Sequence, residues 1–250
     1  MAFRFPQIKH QIYPKTFLKD VHIVFEYGKV NPTDEKVARV CSFYENHFGL
    51  EIDDIDRTKG NGISVFSGDD TVRFSFDWDS CALIMRTPAY KSFGFAKPLL
   101  EIILEYFSLI GVNDVKGVLM WKYNELKYEL DGVGNASMVL KGVFSDVLLN
   151  ENMTDDDIKA MRSLTRWEKT VDFDDVDDKG SLLTFEFGFK SEKPDQLKGV
   201  VALKTMIMSS ADAVAVSSLD GLLNSFNSTL DDAFHWCVKN EIINEMKKEL

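Results

Sequence analysis

The chain has 250 residues, 45% of them hydrophobic, which is enough for one large or two small domains to bury a core and excludes a disordered chain. Its 29 Lys and Arg stand against 40 Asp and Glu, and a formal charge of −11 removes nucleic acid as the expected partner. Three widely separated cysteines, Cys41, Cys81 and Cys237, make no disulfide framework and suit a reducing compartment.

The opening MAFRFPQIKHQIYPKTF holds no apolar run of signal-peptide length, and no later stretch is apolar enough to span a bilayer, so a cytoplasmic protein without a membrane partner is expected. VHIVFEYGKV (21–30) alternates Val21, Ile23, Phe25 and Tyr27 with other residues, the pattern of a half-buried strand. A helix follows over NPTDEKVARVCSFYENHFG, with Asn31 as its cap, Pro32 in its first turn and Gly49 at its exit. Val37, Val40, Cys41, Tyr44 and Phe48 share one face of it. Three strands come next, GISVF, TVRFSFDW and CALIMRT, joined by short Ser-Gly-Asp-Asp and Asp-Ser links that favour antiparallel turns. FGFAKPLLEIILEYFSLIG then reads as a helix apolar almost all round, with Lys97, Glu101, Glu105 and Ser108 as its one polar stripe, hence a buried helix.

The same order recurs in the second half. DVKGVLMWKYNELKYEL (114–130) reads as a strand or long hairpin, and SMVLKGVFSDVLL and DDDIKAMRSL as helices. TRWEKTVDF, LLTFEFGFK and LKGVVALKTMIM follow as strands, and one long helical stretch carries Leu230, Phe234, Cys237, Val238, Ile242 and Met246 along a face. Each half is thus β-α-β-β-β-α, and FSFDWDS in the first is echoed by FEFGFKS in the second, a signature of internal duplication. The expected class is α+β: antiparallel sheet with helices packed on one face, in halves 1–112 and 113–250 that could form one continuous domain. In topology alone such a pattern resembles the TATA-binding-protein saddle and the helix-grip folds, although an acidic chain is poorly suited to grip DNA.

The most site-like stretch is DFDDVDDKGSLLTFEF (172–187). Counted from Asp175, a calcium loop needs oxygen ligands at the first, third, fifth and twelfth positions and glycine at the sixth. Asp175, Asp177, Gly180 and Glu186 comply, but Lys179 falls on the fifth, and the flanks read as strands where that motif has helices. An exposed acidic hairpin loop is the plainer reading. Gly132 and Gly134 in DGVGNAS read as a flexible link between the halves, since no parallel βαβ series surrounds them. Asp114 with Glu125 and Lys127 is the best catalytic candidate, two carboxylates for Mg²⁺ and a lysine to polarise water, set against a strand with a solvated polar edge. No Walker loop, G-x-S-x-G or H-E-x-x-H occurs, the histidines have no zinc-ligand spacing, and no cofactor is expected. The aromatic rows Phe74, Phe76, Trp78 and Phe185, Phe187, Phe189 read either as core or as the lining of a ligand cavity.

DSCALIMRTPAYKSFGFAKPLLEIILEYFSLIGVNDVKGVLMWKYNEL (79–126) resembles a sporadically distributed family of uncharacterised prokaryotic proteins of about this length. Tyr90, Phe93 and Phe95 match an aromatic-rich helix start, and MWKYN (120–124) matches an Arg-Tyr-x-Asn-like strand end with Lys122 in the place of the arginine. FHWCVKNEI near the end resembles the family's ending, in which a histidine precedes a Phe-rich helix, with Val238 and Ile242 in the apolar places. The resemblance implies a patchy occurrence, as in defence or mobile-element systems, and no established reaction or cofactor.

The expectation is therefore a non-enzymatic interaction or accessory protein. Asp155, Asp156 and Asp157, and Asp172, Asp174, Asp175, Asp177 and Asp178, are its candidate docking residues for a basic protein surface. A metal-dependent nuclease or phosphoesterase, and a small-molecule sensor with an aromatic cavity, are the alternatives.

Overall fold

In the first strand, β1 (Leu18–Glu26), Val21, Ile23 and Phe25 are fully buried, while Asp20, His22 and Val24 between them keep part of their surface. That alternation belongs to a pleated strand with one covered face. The computed structural model describes residues 12–50, 63–67, 69–129, 136–150, 164–171, 181–190, 198–209 and 213–248. Within them run α1 (Asp34–Phe48), β2 (Ile63–Phe66), β3 (Val72–Phe76), β4 (Ser80–Arg86), α2 (Phe93–Ile110), β5 (Asp114–Val115) and β6 (Gly117–Glu129). The second half continues with α3 (Ala136–Val143), α4 (Asp146–Asn150), β7 (Leu164–Val171), β8 (Ser181–Phe189), β9 (Lys198–Met208), β10 (Val214–Ala215), α5 (Leu219–Cys237) and α6 (Asn240–Met246).

Among the described residues eight strands form one antiparallel sheet in the order β2-β3-β4-β1-β6-β9-β8-β7. Counted outward from the centre, the first half supplies β1, β4, β3, β2 and the second β6, β9, β8, β7. The halves therefore share a sheet, joined where β1 pairs with β6. A small separate ladder joins β5 to β10 through Val115 and Val214.

The described helices lie on one face. α2 packs on β4 and against α1, and α5 packs on β6 and β9. Aromatic side chains fill the space between the layers: Phe76 of β3 meets Tyr106 of α2 at 4.7 Å, and Phe25 meets Phe107 edge-on at 5.6 Å. In the second half Phe144 meets Phe187 at 5.3 Å, and Phe185 meets Trp236 at 5.8 Å. Both aromatic rows thus face the core; Trp78 is buried too, just beyond the end of β3. Burying one such ring contributes about 1.5–3 kcal/mol. No described helix is long and apolar enough to cross a membrane.

Three expectations need correction. The α1 cap is Thr33, whose hydroxyl accepts from Lys36 N at 3.4 Å, and Asn31 lies outside the helix; a residue before proline is steered to extended backbone. α2 is not buried on every side, because Phe95 and Leu104 stand exposed. The terminal helix is two helices. At Val238 the backbone is extended (φ −106°, ψ 156°) and bridges to Phe144, with Ser145 N donating to Cys237 O and Lys239 N to Val143 O. Those bonds to α3 replace the helical ones the break removes.

Candidate functional site

The proposed catalytic trio does not assemble. Asp114 is exposed on β5, whereas Glu125 lies well along β6; from Gly117 to Glu125 the strand alone rises about 26 Å. Glu125 and Lys127 share a strand face, but Glu125 already accepts from Lys190 and lies 3.9 Å from Lys19. No two carboxylates of the trio meet to bridge a metal. Of the calcium-loop residues, Glu186 is a β8 residue 3.5 Å from Lys204, while Asp175 and Asp177 lie outside the described residues. So do the candidate docking residues Asp155, Asp156, Asp157, Asp172, Asp174 and Asp178. The flanks of 172–180 are the paired strands β7 and β8, not helices. Among the described residues no three metal-ligating side chains gather.

One face of β6 carries a polar cluster that alternation should have flagged. Val118, Met120, Lys122, Asn124 and Leu126 all point under the helices, and Lys122 is 4% exposed. A buried ammonium needs a counter-charge and hydrogen bonds. Lys122 Nζ donates to Asp231 Oδ1 of α5 at 2.5 Å and to Asn227 O at 3.4 Å. Asn227 Nδ2 donates to Asp231 Oδ2 at 3.3 Å and its Oδ1 accepts from the Tyr90 hydroxyl at 3.2 Å. Burial, then the charge of Asp231, pushes that hydroxyl's pKa up. One turn on, His235 Nδ1 donates to Asp231 O at 2.7 Å, which leaves Nε2 to accept from the Tyr13 hydroxyl at 2.7 Å. Tyr90, Lys122 and His235, distant in sequence, thus belong to one network. Its chemistry is that of an anchor, since each donor has an acceptor in the protein.

The opposite face of the sheet carries no described helix. Its side chains form three rows across β4, β1, β6, β9 and β8, read from the pairing register. The first is Ala82, Val24, Leu119, Met208, Leu182; the second Ile84, His22, Trp121, Met206, Thr184; the third Arg86, Asp20, Tyr123, Lys204, Glu186. All keep some exposure except Thr184, and Met208 reaches 44%. In the middle His22 stacks on Trp121, with ring centres 4.3 Å apart and planes 16° from parallel. Lys204 Nζ lies 5.2 Å from the centre of the Trp121 ring and 3.5 Å from Glu186, and His22 Nε2 lies 3.0 Å from Asp20. The face grades from an apolar row to a charged one. The signal for it was in β6, whose odd positions Leu119, Trp121 and Tyr123 are as apolar as its even ones. A strand facing water on one side alternates more sharply than that.

On the helical side a cavity of about 310 Å³ opens between α2 and α5. Its floor is Phe25 and its walls include Leu100, Ile103, Leu219 and Leu223. Lys97 and Asp220, 3.6 Å apart, stand at its rim beside Glu101. It is aliphatic rather than aromatic, because the phenylalanine rows are consumed by the core.

No family model matches the sequence, and no curated protein matches it. Among solved structures the chain is similar to the TBP of Methanococcus jannaschii, at 12% identity over 88% of this chain and 99% of that chain, with a TM-score of 0.27. A likeness that slight carries no argument about function.

Proposed function

We propose that this chain is a cytoplasmic, non-enzymatic interaction protein, an accessory subunit that docks a protein partner on the sheet face that carries no described helix. The observation that carries the reading is the grading of that face, an apolar row beside an aromatic row beside a charged row. Contiguous apolar surface rimmed by charge is what protein interfaces present, with aromatic residues and methionine enriched at their centre. The repeated strand order supports internal duplication as the origin of the wide sheet. Affinity capture from the native host tests the proposal, comparing wild type, Trp121→Ala with Met206→Lys on the face, and Lys97→Ala on the helical side as a control. Retention of a stoichiometric protein by wild type and control, and its loss by the face variant, is expected. Equal retention by all three would sink the idea.

The cavity between α2 and α5 favours a second reading, a small-molecule sensor with an aliphatic pocket in place of the expected aromatic one. Thermal stabilisation by a metabolite pool, abolished by filling the pocket with Leu104→Trp, is its expected signature. An unchanged melting temperature across the pool would remove it.

A further inference from the structure

We infer that the partner on the face without a described helix is a second copy of this chain, docked face to face about a two-fold axis parallel to β6. The inference rests on the interaction reading above and names the occupant of that surface. A two-fold axis of this orientation lays each cross-strand row on the same row of the other copy, in reverse order. The third row, Arg86, Asp20, Tyr123, Lys204, Glu186, reads plus, minus, neutral, plus, minus from β4 to β8. Reversed, it reads minus, plus, neutral, minus, plus. Every charge therefore meets its opposite: Arg86 faces the second copy's Glu186, and Asp20 faces its Lys204.

The other rows match under the same operation. In the first row Leu119 meets its own copy, Val24 meets Met208 and Ala82 meets Leu182, so apolar residues cover apolar residues throughout. In the second row the two Trp121 rings meet at the axis and His22 meets Met206. β6 is the middle of the five strands that carry the rows, so Leu119, Trp121 and Tyr123 all lie on the axis. Facing sheets keep their mean strand directions within about 30° of each other, and an axis parallel to β6 satisfies that. The five strands that carry the rows, about 4.8 Å apart and about 20 Å long, present roughly 480 Å² per copy, the size of a small, reversible interface. A foreign partner would have to supply the complement of both the charge order and the apolar row. This chain already carries both.

Sedimentation velocity from low to high micromolar concentration tests the inference, with circular dichroism to establish that each variant is folded. Wild type is expected to be a dimer. Asp20→Lys and Lys204→Asp are each expected to weaken it about 100-fold, since each places two like-charged pairs across the axis. An equimolar mixture of the two variants is expected to dimerise again, because one chain then offers lysine at both positions and the other aspartate at both. Leu119→Arg, which leaves the charge row intact, is expected to weaken self-association as well by setting two guanidinium groups at the axis. A wild type that stays monomeric, a dimer indifferent to these variants, or loss without rescue in the mixture would each overturn the inference. If the wild type is monomeric while capture of another protein still depends on Trp121 and Met206, only this inference falls; if capture is also independent of the face, the interaction reading falls with it.

Discussion

At the scale of single residues, burial decides which side of an ion pair matters. Lys122 is 4% exposed, whereas the side chain of its partner Asp231 keeps 35% of its surface. Asp231→Asn strands an ammonium under the helices and is expected to cost about 3 kcal/mol. Lys122→Met leaves a carboxylate that water can reach and is expected to cost about 1 kcal/mol or less. Urea denaturation of both variants checks the asymmetry, and equal losses would count against it. A second consequence concerns pH. Burial is the largest cause that pushes the hydroxyls of Tyr27, Tyr44, Tyr90 and Tyr106 above their ordinary value. The unfolded chain releases those protons at about pH 10 and the folded chain holds them. Stability is therefore present in full below about pH 10 and falls as the pH rises beyond it. Ultraviolet titration should find these four tyrosines ionising only together with unfolding; a gradual titration in the folded protein would contradict it.

At the scale of elements, close packing leaves particular places where one methyl group matters. Gly199 of β9 pairs with Tyr128 of β6, and a Cβ there would lie 2.5 Å from the tyrosine oxygen. Gly199→Ala is expected to destabilise the protein by about 1–2 kcal/mol, and by less in a Tyr128→Leu background; calorimetry of the double-mutant cycle measures both. Thr33→Ala removes the α1 cap and is expected to cost about 1 kcal/mol, read from the same melting curves. Much of this layer was legible in the sequence. Period-two alternation marked β1, β3 and β8, and Gly49 marked the end of α1, because side-chain period and left-handed backbone are local properties. The break at Val238 was not legible, since no glycine or proline announces it and its cause is a bridge to Phe144, remote in the chain. The Lys122 network was half legible: a lysine among Val118, Met120 and Leu126 is visible in β6, but Asp231 and Asn227 are chosen by the packing of α5. Asp114, Glu125 and Lys127 stood close in sequence, yet strand geometry drew them out along a line.

At the scale of the whole molecule, the described helices cover one side of the sheet, and the proposed second copy covers the other. With the rows of Val24, Leu119 and Met208 covered by a second copy, folding and association become linked, and stability depends on protein concentration. The melting temperature of wild type is expected to rise with concentration, while that of Asp20→Lys stays flat; scanning calorimetry over a dilution series distinguishes them.

The stretch that leads into β1 also meets the last two helices. The Tyr13 hydroxyl donates to His235, Lys15 N donates to Met246 O at 3.3 Å, and Lys15 Nζ to Glu245 at 2.9 Å. Glu245, held by Lys248 and Lys15, has its pKa lowered to about 2. The stretch before β1 and the last two helices are therefore neighbours. A circularly permuted chain that links the end of α6 to the stretch before β1 and opens between β6 and α3 would write the second half before the first. Its product is expected to rebuild the same sheet, because the order of strands about the β1–β6 seam does not depend on which half leaves the ribosome first.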